Sequence, residues 1–142
     1  MAASKLMITI HTDGGARGNP GPSGAGAFIE VPGKVPEELS KFLGHQTNNW
    51  AEYEALFLAL MRAKEIAGEA LAETEVLAYL DSGLVVKQLL GIYRVREATL
   101  MPQWSKVREV AQAFKNVRYT HVRREQNKDA DRLANEAMDR GQ

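Results

Sequence analysis

The 142-residue chain carries 18 Lys and Arg against 18 Asp and Glu, 44% apolar residues and no cysteine. This composition suits one folded domain over residues 1–142, burying roughly two thirds of its unfolded surface, and argues against wholesale disorder. It excludes a disulfide framework, a thiolate zinc site, a cysteine nucleophile and a net positive field that would hold nucleic acid by itself.

No apolar run approaches the ~20 residues that a membrane span needs, and Met1 to Lys5 lead into no signal-like stretch. The expectation is a cytoplasmic monomer with no membrane partner.

In chain order, Lys5 to His11 alternate and are rich in β-formers, and Thr12-Asp13 precede a run of glycines and prolines. This predicts a strand that delivers Asp13 to a loop. Gly24 to Val31 and Glu38 to Leu43, joined through the Pro32-Gly33 turn, predict two more strands of an antiparallel meander. Asn48 and Asn49 are N-cap candidates for a helix from Trp50 to Ala67, which Gly68 stops. Glu75 to Leu80 predicts a strand, Ser82 to Leu90 a short helix ended by Gly91, and Leu100 to Phe114 a helix with Pro102 in its first turn. Val117 to Val122 completes the strands, and a loop over Arg123 to Lys128 leads into a last helix from Asp129 to Arg140. Three strands followed by alternating helix and strand indicate an α/β domain.

At roughly 100° per residue, Leu56, Ala59, Leu60, Ala63 and Ala67 form one apolar stripe of the long helix, with Glu52 in its middle and Glu54 opposite, near Lys64 and Glu65. A carboxylate on a buried stripe costs several kcal/mol unless a cation or strong donors compensate it. The simpler reading is a frayed first turn that releases Glu52 to water. Asp13 and Asp81 each end a predicted strand, where sites form in parallel sheets. Alone, Asp13 reads as a turn residue and Asp81 as a helix cap. Together with Glu52 they suggest a cluster, and clustered carboxylates repel one another unless divalent cations lie between them. Oxygen-only ligands suit magnesium or manganese and hence phosphoryl chemistry.

Four strings carry a family resemblance over about residues 5–140: Thr12-Asp13-Gly14-Gly15-Ala16-Arg17-Gly18-Asn19-Pro20-Gly21-Pro22, Thr47-Asn48-Asn49-Trp50-Ala51-Glu52, Asp81-Ser82-Gly83-Leu84-Val85-Val86-Lys87-Gln88, and Asn127-Lys128-Asp129-Ala130-Asp131-Arg132-Leu133-Ala134. In this order they resemble type-I ribonucleases H. The resemblance implies a ribonuclease H-like fold, with a five-stranded mixed sheet of three antiparallel and two parallel strands flanked by helices. It implies hydrolysis of the RNA strand of RNA/DNA hybrids to 3′-hydroxyl and 5′-phosphate ends. Asp13, Glu52, Asp81 and Asp131 would hold two Mg2+ ions, or Mn2+, with Asp13 bridging, Glu52 and Asp81 completing one shell and Asp131 holding the other ion. Helical geometry leaves Asp129 and Asp131 equivalent, and only the family pattern selects Asp131. Implied substrate contacts are Gly14, Gly15, Ala16 and Asn19 of the glycine-rich loop, Thr47, Asn48 and Asn49, Ser82 and Gly83, and Arg124 with Asn127.

The chain departs from the family pattern in three places. The loop Arg123 to Lys128 lacks the histidine many members carry, leaving Arg124 and Glu125 as candidates to assist, while His121 falls on the preceding strand. Gly91 to Pro102 is too short and mixed in charge for a basic handle, which Arg94, Arg96, Lys106 and Arg108 would only partly replace. Gly83 stands where relatives often carry glutamine. Trp50 and Trp104 read as packing residues before base-stacking ones. Two rival expectations are a non-catalytic hybrid-binding module and a related nuclease acting on double-stranded RNA or DNA junctions. The full carboxylate set weighs against the first, and the Thr-Asn-Asn string with the glycine-rich loop against the second.

Overall fold

Alternation of apolar and polar residues builds a five-stranded sheet in the computed structural model, which describes residues 6–142. The strand start expected at Lys5, and the reading of Met1 to Lys5, lie outside these residues. The strands are β1 (Met7–Ala16), β2 (Gly21–Glu30), β3 (Glu37–Gln46), β4 (Glu75–Leu80) and β5 (Asn116–His121). The helices are α1 (Asn48–Ala67), α2 (Gly83–Leu89), α3 (Met101–Ala111) and α4 (Lys128–Arg140). The strand order is β3-β2-β1-β4-β5, with β1/β2 and β2/β3 antiparallel and β1/β4 and β4/β5 parallel. This is the mixed sheet expected from the sequence.

One face of the sheet forms the main core. Ile8, Ile10, Val76 and Leu80 pack against Tyr53, Leu56 and Leu60 of α1, with Val85 of α2 and Val107 of α3 beside them. Each such side chain contributes about 1.5–3 kcal/mol on burial. The polar links between these helices are also made: Tyr53 Oη donates to Gln88 Oε1 at 2.6 Å, and Gln103 Nε2 donates to Trp50 O at 3.2 Å.

α4 lies against β1, β2 and β3 and needs glycine to do so. A Cβ on Gly26 would fall 2.2 Å from Ala130 O and 2.5 Å from Ala134 N, well inside van der Waals contact. Ser40 of β3 donates to Leu133 O at 2.6 Å, and Arg140 Nη2 donates to Ser40 O at 3.0 Å, fastening the helix at two levels.

Several boundaries differ from the sequence expectations. β1 runs on past His11 through Asp13 to Ala16, because β2 begins at Gly21 and pairs with it as far as Ala16↔Ser23. The N-cap of α1 is Thr47, whose Oγ1 accepts from Trp50 N at 3.2 Å. The Asn48 side chain is turned instead toward the glycine-rich loop, where its Oδ1 accepts from Ala16 N at 2.7 Å. α3 ends at Ala111, three residues early, and a short 3-10 helix over Gly68–Glu73 follows the Gly68 cap. Glu54, opposite the apolar stripe, is not left to solvent. It is 13% exposed and pairs with Lys106 of α3, because that helix crosses the flank of α1 which a lone-helix projection leaves open to water.

Gly26→Ala is expected to destabilise the protein by about 2 kcal/mol or more, since a backbone carbonyl occupies the site of the new methyl. Urea unfolding reads the difference directly, and a variant as stable as wild type would contradict this packing.

Candidate active site

The sheet opens where β1 and β4 part. Parallel pairing ends at Thr12↔Leu80, after which β1 stays with β2 while the chain leaves β4 at Asp81. Asp13 and Asp81 therefore stand side by side at the carboxyl end of this seam, where α/β sheets form their crevices.

Glu52 comes to the same point because α1 sits unusually close to β1. A Cβ on Gly14 would lie 2.1 Å from Ala51 O, so only glycine admits the helix here. Gly14 N donates to Glu52 Oε1 at 3.0 Å, whereas the buried Glu52 Oε2 finds no partner among the described residues. One ligand oxygen from each of Asp13, Glu52 and Asp81 lies within 4.8 Å of the others.

Asp131 reaches the site from the first turn of α4. It lines the same cleft of about 650 Å³ as Asp13, Glu52 and Asp81. Asp129, which helical geometry alone could not separate from it, is exposed and pairs with Arg132. Asn127 holds the approach: its Nδ2 donates to Thr12 O at 2.9 Å, tying the start of α4 to β1.

The carboxyls of Asp13, Glu52 and Asp81 resist ionisation. Burial pushes Asp13 up to about 7, and the charges of Asp81 and Asp131 add to the effect. Glu52 is driven well above its ordinary value, first by burial and then by its neighbour Asp13. Asp81 is raised by burial as well, although Arg124 partly offsets this. An oxygen-only donor set, raised carboxyls and an orphaned buried oxygen together fit a hard divalent cation.

The structure gives the expected substrate contacts different places. Gly15, Ala16, Asn48, Asn49, Ser82 and Arg124 line the cleft with the carboxylates. Asn127 is instead buried and Thr47 caps α1, so neither presents a side chain to the cleft. Asn19 and Asn48 are occupied with each other's segments, Asn48 N donating to Asn19 Oδ1 at 3.0 Å and Asn48 Oδ1 holding Ala16 N. Gly14 lies in the cleft floor, but its want of a side chain serves the approach of α1. Gly83 opens α2 beneath the ring of His121.

The cleft also takes in Asn135, His121 and Arg123, which sequence reasoning did not assign to it. Asn135 follows Asp131 by one helical turn, and that spacing was the available signal. Lys106 and Arg108, weighed as phosphate contacts, are engaged elsewhere: Lys106 pairs with Glu54 and lies over the Phe57 ring, and Arg108 stacks on Trp104. Trp104 Nε1 donates to Gln88 O at 3.4 Å, which supports the packing reading of that residue.

A mixed sheet of this order, with acidic groups gathered at the parting of its parallel strands, defines the ribonuclease H-like class of proteins. A family model described as "Reverse transcriptase-like" matches residues 11–137. The chain is 38% identical over 136 residues to the bifunctional protein Rv2228c of Mycobacterium tuberculosis, covering 94% of this chain and 36% of that protein. It is also 38% identical over 133 residues to ribonuclease HI of Halobacterium salinarum, covering 93% of this chain and 64% of that protein. Among solved structures, LC11-RNase H1 in complex with an RNA/DNA hybrid superposes with a TM-score of 0.87 at 42% identity, covering 94% of this chain and 97% of that one. The chain belongs to the type-I ribonuclease H family. It spans about a third of the length of the mycobacterial relatives.

The raised Asp13 has a consequence for stability. Its folded value of about 7 lies above the ordinary 3.8, so the folded state holds the proton more tightly than the unfolded one. Metal-free protein therefore loses stability as pH rises from about 4 through 7. Asp13→Asn is expected to stabilise the chelator-treated protein by on the order of 2 kcal/mol at pH 8, with the advantage vanishing toward pH 4. Thermal melts across that pH range test this, and a pH-independent difference would contradict it.

Proposed function

We propose that the chain hydrolyses the RNA strand of RNA/DNA hybrids, leaving 3′-hydroxyl and 5′-phosphate ends. The observation that carries this reading is the convergence of Asp13, Glu52 and Asp81 to within 4.8 Å around an orphaned carboxylate oxygen, with Asp131 on the same cleft. A buried cluster of this kind destabilises the fold and has no structural use as it stands. The likeness to LC11-RNase H1, solved with a hybrid bound, supports the choice of substrate.

Asp13, Glu52, Asp81 and Asp131 would hold two divalent ions of the magnesium type. Bound there, these would make a water nucleophilic and neutralise the oxygen leaving phosphorus. The residues of the chain do the rest. Gly14 N–H fixes one oxygen of Glu52 and leaves the other for a ligand. Asn48 holds Ala16 N, and Asn19 holds Asn48 N, so the glycine-rich loop is braced before substrate arrives. Gly15, Ala16, Asn49 and Ser82 then offer backbone and short polar groups to the sugar edge of a nucleic acid, where the ribose hydroxyl distinguishes RNA from DNA. Arg124 sits where it can meet a phosphate and lowers the ionisation cost of Asp81.

The test is cleavage of end-labelled RNA/DNA hybrid, single-stranded RNA, RNA duplex and DNA duplex with magnesium, manganese or chelator. Only the RNA of the hybrid is expected to be cut, and only with metal. Asp13→Asn and Asp131→Asn are each expected to lower the rate by more than about a hundredfold, and Asp129→Asn by less than about threefold. Binding of hybrid without cleavage under either metal would overturn the catalytic reading.

A further inference from the structure

Gly83 stands at the start of α2, next to the side chain of His121. Its φ is not among the positive values found at Gly18, Gly33, Gly44, Gly68, Gly91 and Gly141, so any residue could adopt its conformation. The imidazole of His121 lies beside it, at a distance where a methyl would make ordinary van der Waals contact. A Cβ on Gly83 would lie 3.4 Å from His121 Cε1 and 3.7 Å from both ring nitrogens, which sets the imidazole directly over the start of α2.

His121 is the last residue of β5 and pairs with Leu80, the residue before Asp81. Its position is thus fixed by the sheet, one step from the carboxylate seam. It is exposed and lines the cleft together with Ser82 and Arg124. Among the described residues it enters no ion pair, unlike His11, which is bonded to Glu30. A ring placed by a strand end, packed over a glycine and open to the cleft has a free donor and acceptor for a ligand.

We infer that His121, seated over Gly83, is a substrate-binding residue that hydrogen-bonds the ribose 2′-hydroxyl of the RNA strand as it passes Asp81. This rests on the proposed function, because the strand at the carboxylates is RNA only if the cluster cuts RNA. The 2′-hydroxyl both donates and accepts, so a neutral imidazole meets it with either nitrogen. A DNA strand in the same place offers the ring no such partner.

Hybrid and DNA-duplex binding by wild type, His121→Ala and His121→Gln would be measured by fluorescence anisotropy in chelator, alongside KM and kcat for hybrid with magnesium. His121→Ala is expected to weaken hybrid binding and raise KM by about five- to tenfold, the scale of one lost hydrogen bond, with kcat within about twofold and DNA-duplex binding unchanged. His121→Gln, which keeps a donor and an acceptor, is expected to retain most of the affinity. Unchanged hybrid affinity in His121→Ala overturns the inference. So does an equal loss for hybrid and DNA duplex accompanied by a lower melting temperature, which marks a structural role. If wild type cut no hybrid, the proposed function would fail, while the anisotropy comparison would still decide the part played by His121.

Discussion

The contact between Gly14 and α1 is the constraint on which the site depends. A helix backbone cannot come within touching distance of a strand that carries a side chain, and at Gly14 the Ala51 carbonyl occupies the very place a Cβ would need. That approach delivers Glu52 to Asp13, and the Gly14 amide then holds one of its oxygens. The helix is pressed there by Tyr53, Leu56 and Leu60 on the sheet, so apolar burial provides the force that brings like charges together.

The site is built from both faces of the sheet. α1 brings Glu52 against one side, and α4 brings Asp131 from the other, lying on a strip of β2 left bare by Gly26 and, two residues earlier, Gly24. Asn127 joins the two arrangements by bonding Thr12, the residue before Asp13. Small residues and a buried amide thus set the distances among four acidic groups, whose mutual repulsion would otherwise move them apart. Burial first, and the neighbouring carboxylates after it, raise Asp13, Glu52 and Asp81, a cost that a bound cation would relieve.

The chain carries no net charge, and several of its cations are already engaged within the protein. Arg132 is bonded to Glu38 and Glu136, Arg17 to Asp139, and Lys106 to Glu54. Arg94 and Arg96 lie on a separate groove beside Tyr93 and Trp104, and Arg123 and Arg124 on the carboxylate cleft.

The sequence by itself determined the order and type of the main elements, because apolar periodicity, glycine stops and the Pro102 start are local signals carried by neighbouring residues. It also exposed Glu52 as an anomaly, since one helix projection suffices to put a carboxylate on an apolar stripe. Only the tertiary structure decided what depends on residues distant in the chain. It extended β1 to Ala16 through pairing with β2, turned Asn48 away from capping toward Ala16, and moved Glu54 from solvent to Lys106. Periodicity left Asp129 and Asp131 equal, and the placement of α4 over Gly26 separated them. His121 looked like an ordinary strand residue because nothing in its own segment reports that β5 ends beside Asp81. That juxtaposition arises from parallel pairing with β4, about forty residues away, and such pairings leave no local trace in a sequence.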